Sequence, residues 1–267
     1  MSKIKNAFQN GKAFIAFLTA GDPNADKTVE YILEMEKAGA DLVEIGIPFS
    51  DPTAEGAVIQ EANIRALNNG MTTDGVFAIV RRVREKSDIP LVFLTYLNPV
   101  FHYGYERFFA KCGELGVDGI IIPDLPFEEK EELAPFAAAH DVDLISMIAP
   151  TSKERIRKIA SQAAGFLYLV SSMGVTGVRS EITTDLGAIV KEVRKVTDIP
   201  CAVGFGISTP EQAGQMAALS DGAIVGSAIV KIIAAKGEQA GEALAEYVRK
   251  MKAGVCASGT EERRITV

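Results

Sequence analysis

A glutamate inside an apolar run is the first residue of this sequence that could do chemistry. Glu44 lies in LVEIGI (42–47), where every other residue is apolar or glycine. Such a run is typical of a parallel strand that is buried on both faces. Burial raises the pKa of a carboxyl group toward the range in which a general acid–base group works near neutral pH. We predict that Glu44 is catalytic, because it lies near the C-terminal end of its strand; the alternative is a structural carboxylate that backbone amides satisfy.

The segment after this run supplies a second carboxylate. PFSDPTAEG (48–56) carries Asp51 and Glu55 and ends in a glycine. Small residues on either side of Glu55 would let this loop fold over a pocket. Two carboxyl groups in different surroundings are a common way to divide acid and base roles. We therefore predict a catalytic pair of Glu44 and Glu55, although a loop carboxylate taken alone is usually only solvated.

Glycines follow three successive apolar runs in the second half of the chain. They occur in GVTG (174–177), GFGIS (204–208) and GSAIV (226–230). A backbone without a Cβ can bring its N–H groups close to an anion, and the helix that GSAIV opens would add a favourable dipole. One Gly-Phe-Gly alone would indicate only a tight turn. Three such segments together predict a phosphate site.

Aromatic residues near these segments could shape the rest of a pocket. Phe17 and Phe205 would suit a flat apolar ligand, and Tyr168 could stack or hydrogen-bond from its strand or simply belong to the core. VTGVRSEITTD (175–185) is polar and contains glycine, as a mobile lid would.

The residues that serve metal and nucleophile chemistry are scarce. The chain has two histidines and three cysteines, and Cys112, Cys201 and Cys256 lie far apart in no metal-ligand spacing. We expect no metal site, no disulfide framework and no nicotinamide or haem cofactor. Carboxylates, backbone amides or another bound cofactor are expected to do the chemistry, in a reducing cytoplasm.

Eight short apolar runs must position these residues. In chain order they are FIAFLT, LVEIGI, LVFLTY, GIIIPD, LISMIAP, FLYLVS, CAVGFGI and AIVGSA. Helix-period segments such as NADKTVEYILEMEKAG and TTDGVFAIVRRVREK alternate with the runs. This alternation predicts an α/β fold, a closed (β/α)₈ TIM barrel whose active site forms at the C-terminal ends of the strands. The tripeptide Asp-Ile-Pro precedes two of the runs, at 88–90 and 198–200, as a weak internal repeat.

Length and composition narrow the class of protein further. The chain has 267 residues, 48% of them hydrophobic, and a net charge of −7, which excludes a disordered chain and disfavours binding to nucleic acid. We expect neither a membrane span nor a signal peptide. Residues 1–267 are predicted to form one domain with an extra N-terminal helix, and about 257–267 a flexible tail.

Four segments, taken in order and at their separations, resemble one enzyme family. VEIGIPFSDPTAEG, LVSSMGVTG, GFGIS and GSAIVKII are similar to the tryptophan synthase α subunit, and the resemblance extends from FLTAGDP (17–23) to about residue 235. The resemblance implies a TIM barrel that cleaves indole-3-glycerol phosphate to indole and glyceraldehyde 3-phosphate. It also implies an α₂β₂ complex whose β subunit holds pyridoxal phosphate (PLP) and receives the indole, with no cofactor in this chain.

The resemblance assigns roles to individual positions. Glu44 matches the catalytic glutamate of the second strand, and Glu55 stands where the family usually has aspartate. The added methylene extends the reach of this carboxylate by about 1 Å. The matched phosphate-binding positions are Gly177, Gly206, Gly226 and Ser227. The matched pocket and lid positions are Phe17, Tyr168, Thr176 and Phe205, and the matched positions facing the β subunit are Asp51 and Pro52.

Two alternatives remain open at this point. One is another phosphate-binding barrel enzyme, such as a sugar-phosphate isomerase or a lyase that acts without a partner. The other is a weakly catalytic or non-catalytic subunit whose main task is to bind and activate a β subunit. The presence of both carboxylates favours an enzyme over this second alternative.

Overall fold

One parallel sheet forms the centre of the molecule. A computed structural model describes residues 2–170, 186–204 and 206–265, with residues 258–265 described for the backbone only. In this part of the chain nine strands pair in the order β5-β4-β3-β2-β1-β9-β8-β7-β6, all in parallel. The strands are β1 Ala13–Thr19, β2 Leu42–Gly46, β3 Leu91–Leu94, β4 Gly119–Ile121, β5 Asp143–Leu144, β6 Ser146–Ile148, β7 Leu167–Val170, β8 Cys201–Gly204 and β9 Gly222–Val225.

Helices connect the strands, as the alternating pattern predicts. They are α1 Ala25–Lys37, α2 Ala57–Asn68, α3 Thr73–Arg84, α4 Leu97–Tyr103, α5 Tyr105–Leu115, α6 Ala134–Ala139, α7 Lys153–Ala160, α8 Leu186–Val193, α9 Pro210–Leu219, α10 Ser227–Lys236 and α11 Gly241–Ile265. Asn24 and Thr72 cap α1 and α3 by accepting backbone N–H groups of the first turn, which is why these helices begin where they do. Within the described ranges, none of the helices combines the length and the apolar character that crossing a membrane requires.

Every predicted run contains a strand, but the fifth run is divided. LISMIAP is expected to form one strand, but it contributes to two short strands. β5 pairs with β4, and β6 pairs with β7. Only Ile145 separates the two strands, and its N–H still donates to the carbonyl of Ile120 at 2.9 Å. The segment 143–148 thus pairs first with β4 and then with β7. It connects the two ends of the sheet, which is a nearly closed barrel.

Side-chain alternation separates an inner core from an outer one. Leu42 packs inside the barrel with Ile15 and Val92, whereas Val43 and Ile45 pack between the sheet and the helices. Since side chains alternate along a strand, Glu44 lies on the same side as Leu42, inside the barrel.

A short 3-10 turn at Ile4–Phe8 closes the N-terminal end of the barrel. Ile4 and Ala7 are buried in the inner core, and the ring of Phe8 packs 6.0 Å from that of Phe166. This turn is the extra N-terminal helix that we expected.

The C-terminal helix α11 has a helical backbone through Ile265. The flexible tail at about 257–267, where the apolar period is lost, stays a prediction. Between β4 and β5 the chain forms a 3-10 turn at Phe127–Glu132 followed by α6, with a proline in the first turn of α6. Proline suits the start of a helix better than its interior, which explains the break.

Aspartates at the starts of strands hold the N-terminal end of the barrel together. Asp118, just before β4, accepts hydrogen bonds from the backbone N–H groups of Leu91 at 2.9 Å and Lys3 at 2.7 Å, and it pairs with Arg84 at 3.1 Å. Its side chain is 4% exposed. Each such carboxylate ties the start of its own strand to the start of the strand before it.

The Asp-Ile-Pro repeat has the same contacts at both places. Arg84 donates to the carbonyl of Ile89 at 2.7 Å, and Arg194 donates to that of Ile199 at 2.7 Å. Each arginine also pairs with the aspartate that precedes the next strand, Asp118 or Asp221. The repeated tripeptide therefore marks a repeated connection from helix to strand.

We expect Asp118→Ala to lower the free energy of unfolding by about 2–4 kcal/mol, because it leaves the buried N–H of Leu91 without its acceptor and the partly buried guanidinium of Arg84 without its counter-charge. Urea denaturation measures this loss. Asp88→Ala is the matched control, since Asp88 lies in the turn before β3, close to Leu91, and its side chain is 91% exposed. Equal losses in the two variants would contradict the role assigned to Asp118.

Candidate active site

A cavity of about 270 Å³ opens at the C-terminal ends of the strands. It brings together most of the site residues that the sequence predicts and that the structure describes: Phe17, Glu44, Glu55, Tyr168, Gly206, Gly226 and Ser227. These residues come from β1, β2, β7 and the connections after β2, β8 and β9. The barrel alone places them side by side, because the C-terminal ends of parallel strands meet at one end of the fold.

Glu44 lies on the wall of this cavity and is 1% exposed. Its strand is central, with Phe17 of β1 on one side and Val92 of β3 on the other. Among the described residues, its Oε1 atom has no hydrogen-bond partner. Burial raises the pKa of the Glu44 carboxyl group to about 8. Glu44 is therefore a neutral acid at pH 7 that can give a proton to a bound molecule.

Tyr168 shares the barrel interior with Glu44. Burial raises the pKa of its phenol, and the negative charge of Glu44 adds to this effect. The phenol occupies the space over Gly204, since a Cβ built at Gly204 would lie 2.1 Å from the Tyr168 hydroxyl oxygen. Tyr168 thus forms part of the cavity wall beside Glu44, as the sequence predicts.

Glu55 is also buried, although it belongs to a loop. The side chain of Asn63 donates to its Oε2 atom at 2.7 Å, and the hydroxyl of Tyr96 is a second hydrogen-bond donor. Burial raises the pKa of the Glu55 carboxyl group to about 7, while the two hydrogen bonds oppose the rise. At neutral pH the ionised and protonated forms of Glu55 are therefore both populated.

The loop that carries Glu55 is held from both sides. The Tyr96 hydroxyl accepts the backbone N–H of Ala54 at 3.1 Å. On the other side, α2 carries Asn63 and is fixed by a bidentate pair in which Arg65 contacts Asp22 at 2.9 and 2.8 Å. Asp22 is 2% exposed and follows β1. A partly buried ion pair thus anchors the helix that positions the Glu55 carboxylate.

The opposite side of the cavity is rich in glycine. Gly206 has a φ of +78°, and a Cβ there would meet no atom of the described residues within 4 Å. Gly226 precedes α10, and Ser227 is the first residue of that helix. The first N–H groups of a helix have no acceptor within the helix and attract anions. This side of the cavity can hold a phosphate group.

Two predicted residues that the structure describes, Asp51 and Pro52, do not line this cavity. Asp51 is exposed and Pro52 is half-buried, in the loop between Glu44 and Glu55. Thr176, Gly177, Phe205 and the predicted lid at 175–185 lie outside the described residues. Of the four residues predicted to bind phosphate, the structure describes Gly206, Gly226 and Ser227.

Sequence reasoning missed the two residues that hold Glu55. Tyr96 ends the run LVFLTY and so, like Glu44, is a polar residue near the C-terminal end of a predicted strand. Asn63 gave no such signal, because an Asn in an amphipathic helix is ordinarily a surface residue. The apolar wall of the cavity, which includes Leu94, Pro123, Met147 and Ile224, was also not predicted.

Among the described residues, no group of His, Cys, Asp and Glu side chains could hold a metal ion. The cavity instead combines a neutral acid, a second carboxyl group with a pKa near neutrality, an apolar wall and a glycine-rich end. This combination can move protons on a flat apolar molecule that carries a phosphate.

Comparison with known proteins identifies one family. The family model described as "Tryptophan synthase alpha chain" matches residues 3–256. The chain is 48% identical over 255 residues to the tryptophan synthase alpha chain of Lacticaseibacillus casei, covering 96% of each chain. It is 51% identical to that of Lactiplantibacillus plantarum, covering 94% of this chain and 96% of the relative.

Solved structures agree in fold. The tryptophan synthase alpha chain of Legionella pneumophila superposes with a TM-score of 0.85 at 35% identity, covering 96% of this chain and 98% of the other. A chain from the tryptophan synthase α₂β₂ complex of Pyrococcus furiosus superposes with a TM-score of 0.84 at 38% identity, covering 91% and 99%.

The buried Glu44 carboxyl group predicts a pH-dependent stability. Above pH 4.5 the unfolded chain releases this proton, whereas the folded chain keeps it up to about pH 8. The unfolded state thus binds fewer protons in this window, and the contribution of Glu44 to stability falls as the pH rises. We expect Glu44→Gln to gain stability relative to the unsubstituted protein, by about 1.4 kcal/mol per pH unit within the window.

Urea denaturation of the two proteins at about pH 5 and about pH 7.5 measures this difference, and contributions of other groups cancel between them. A stability difference that does not change with pH would show that Glu44 is ionised in the folded protein.

Proposed function

The chain belongs to the tryptophan synthase alpha chain family, and we propose that Glu44 and Glu55 carry out the chemistry of that family in it. The chain is a lyase: it cleaves indole-3-glycerol phosphate to indole and glyceraldehyde 3-phosphate and pairs with a β subunit. The observation that carries the proposal is the cavity, in which two buried carboxyl groups face a glycine-rich end.

Glu44 supplies and recovers the proton of the reaction. Its neutral carboxyl group, with a pKa of about 8, protonates C3 of the indole ring and leaves a cationic indolenine that can accept electrons. The Glu44 carboxylate then removes the proton of the neighbouring glycerol hydroxyl. The C–C bond breaks, its electron pair restores the indole ring, and the hydroxyl carbon becomes the aldehyde of glyceraldehyde 3-phosphate. Glu44 ends the cycle protonated, as it began.

Glu55 stabilises the positive charge that develops on the ring. In its ionised form it accepts a hydrogen bond from the indole N–H, and this bond strengthens as the ring is protonated. Asn63 and Tyr96 keep its carboxylate in position. This task requires a carboxylate at a fixed distance from the ring, and the longer Glu55 side chain in place of the family's aspartate changes that distance by about 1 Å.

The glycine-rich end binds the phosphate of the substrate. Gly206, Gly226 and Ser227 surround the place where this group is held, and Gly177 belongs to the same set in the proposal. Phe17, Tyr168 and Phe205 enclose the indole ring, and Thr176 belongs to a lid. Binding energy from the remote phosphate orients the bond that breaks.

The β subunit receives the indole that this chain releases. PLP belongs to that subunit, and the proposal includes no cofactor in this chain. Asp51 and Pro52 face the partner from the rim of the cavity. Phe101, a 65% exposed aromatic residue, belongs to α4, the helix that starts directly after Tyr96. The proposal treats residues 1–267 as one domain and places the enzyme in the cytoplasm, in accord with its biosynthetic role.

We expect Glu44→Gln to reduce indole formation by about three orders of magnitude or more, because the amide can neither give nor take the proton. Indole release from indole-3-glycerol phosphate, with and without an added β subunit, measures it. Glu61→Gln is the matched control, since it removes an exposed carboxylate from α2. Near-normal turnover in Glu44→Gln would overturn the assignment. If the unsubstituted protein bound the β subunit but formed no indole, it would be a regulatory subunit only.

Substitutions at Glu55 test the second role. Glu55→Ala should reduce kcat about a hundredfold or more, because the ring cation loses its counter-charge. Glu55→Asp should retain activity, since it restores the residue usual in the family. The same assay measures both variants. An Asp variant as inactive as the Ala variant would show that this loop depends on the length of the glutamate.

A further inference from the structure

Lys231 is the one basic side chain among the described residues that line the active-site cavity. The same lining contains two carboxyl groups, Glu44 and Glu55, and the whole chain has a net charge of −7. A phosphate ester carries a charge of about −1.5 to −2 at pH 7. The protein therefore needs a local positive charge to offset its own repulsion of the substrate.

The helix places Lys231 next to the phosphate end. Lys231 follows Ser227, the first residue of α10, by four residues, so the two side chains lie on the same helix face. The Cα–Cβ bonds of a helix tilt toward its N-terminus. Four residues rise by about 6 Å, which the four-carbon stem of lysine can span. The ammonium group of Lys231 can thus reach the N-terminus of α10.

Lys231 is free to make this contact. It is exposed, and it forms no ion pair or hydrogen bond with any residue in the described parts of the chain. Other lysines are engaged, as Lys195 is with Glu192 and Lys252 with Asp41. Lys236, at the other end of α10, is also exposed but does not line the cavity. It therefore serves as the comparison for a surface lysine that contributes only to solubility.

We propose that Lys231 determines specificity for the phosphate of the substrate by adding a mobile positive charge to the neutral backbone amides of the glycine-rich end. This inference rests on the proposed function and names a residue that acts on binding and not on proton transfer. The backbone groups fix the position of the phosphate, whereas Lys231 attracts the doubly charged form and holds it at the helix N-terminus.

Lys231→Gln tests the inference, because it removes the charge and keeps a polar side chain. We expect KM for indole-3-glycerol phosphate to rise about three- to tenfold at low ionic strength, with kcat unchanged. The difference should shrink when salt is added, since the charge is exposed and becomes screened. Lys231→Arg should restore the KM, and Lys236→Gln, the matched control, should leave it unchanged.

Inorganic phosphate provides a readout that does not depend on turnover. Calorimetry should show weaker phosphate binding to Lys231→Gln than to Lys236→Gln by a similar factor. Equal phosphate affinities, or equal KM values with the same salt dependence, would overturn the inference. If the unsubstituted protein formed no indole, only the proposed function would be contradicted, and the phosphate titration would still decide the role of Lys231.

Discussion

Desolvation of one carboxyl group, that of Glu44, is the constraint on which the rest of the structure depends. An ionised carboxylate in a dry interior is strongly disfavoured unless it is paired, so an isolated buried glutamate retains its proton. The barrel maintains this condition because the inner apolar core and the N-terminal 3-10 turn close its lower end. Packing alone therefore gives the Glu44 carboxyl group a pKa near neutrality, which suits an acid–base catalyst, in a chain that has only two histidines.

The two ends of the barrel satisfy their polar groups differently. At the N-terminal ends of the strands, Asp118 and Asp221 are bonded to backbone N–H groups and to arginines. At the C-terminal ends, Glu44 Oε1 and the hydroxyls of Thr19 and Thr95 are buried without partners among the described residues. Carboxylates at the N-terminal end are thus bonded to backbone amides and arginines, whereas at the C-terminal end the Glu44 carboxyl group on the cavity wall keeps an oxygen without a partner among the described residues.

Much of the fold and of the site could be predicted because the signals are local. A strand buried on both faces is a continuous apolar run, and a charged residue in such a run is conspicuous; LVEIGI shows both. The divided fifth strand could not be predicted, since the change of partner from β4 to β7 depends on how the sheet curves.

The sequence by itself determined the alternation of strands and helices, the placement of Glu44 inside the barrel and the glycines after the late strands. These follow from side-chain period and residue type, which are properties of short segments. Only the tertiary structure decided that Glu55 is buried, that Asn63 and Tyr96 hold it, and that Lys231 lines the same cavity. The physical reason is that pKa and hydrogen bonding depend on neighbours in space, and closure of the barrel brings together residues that are remote along the chain.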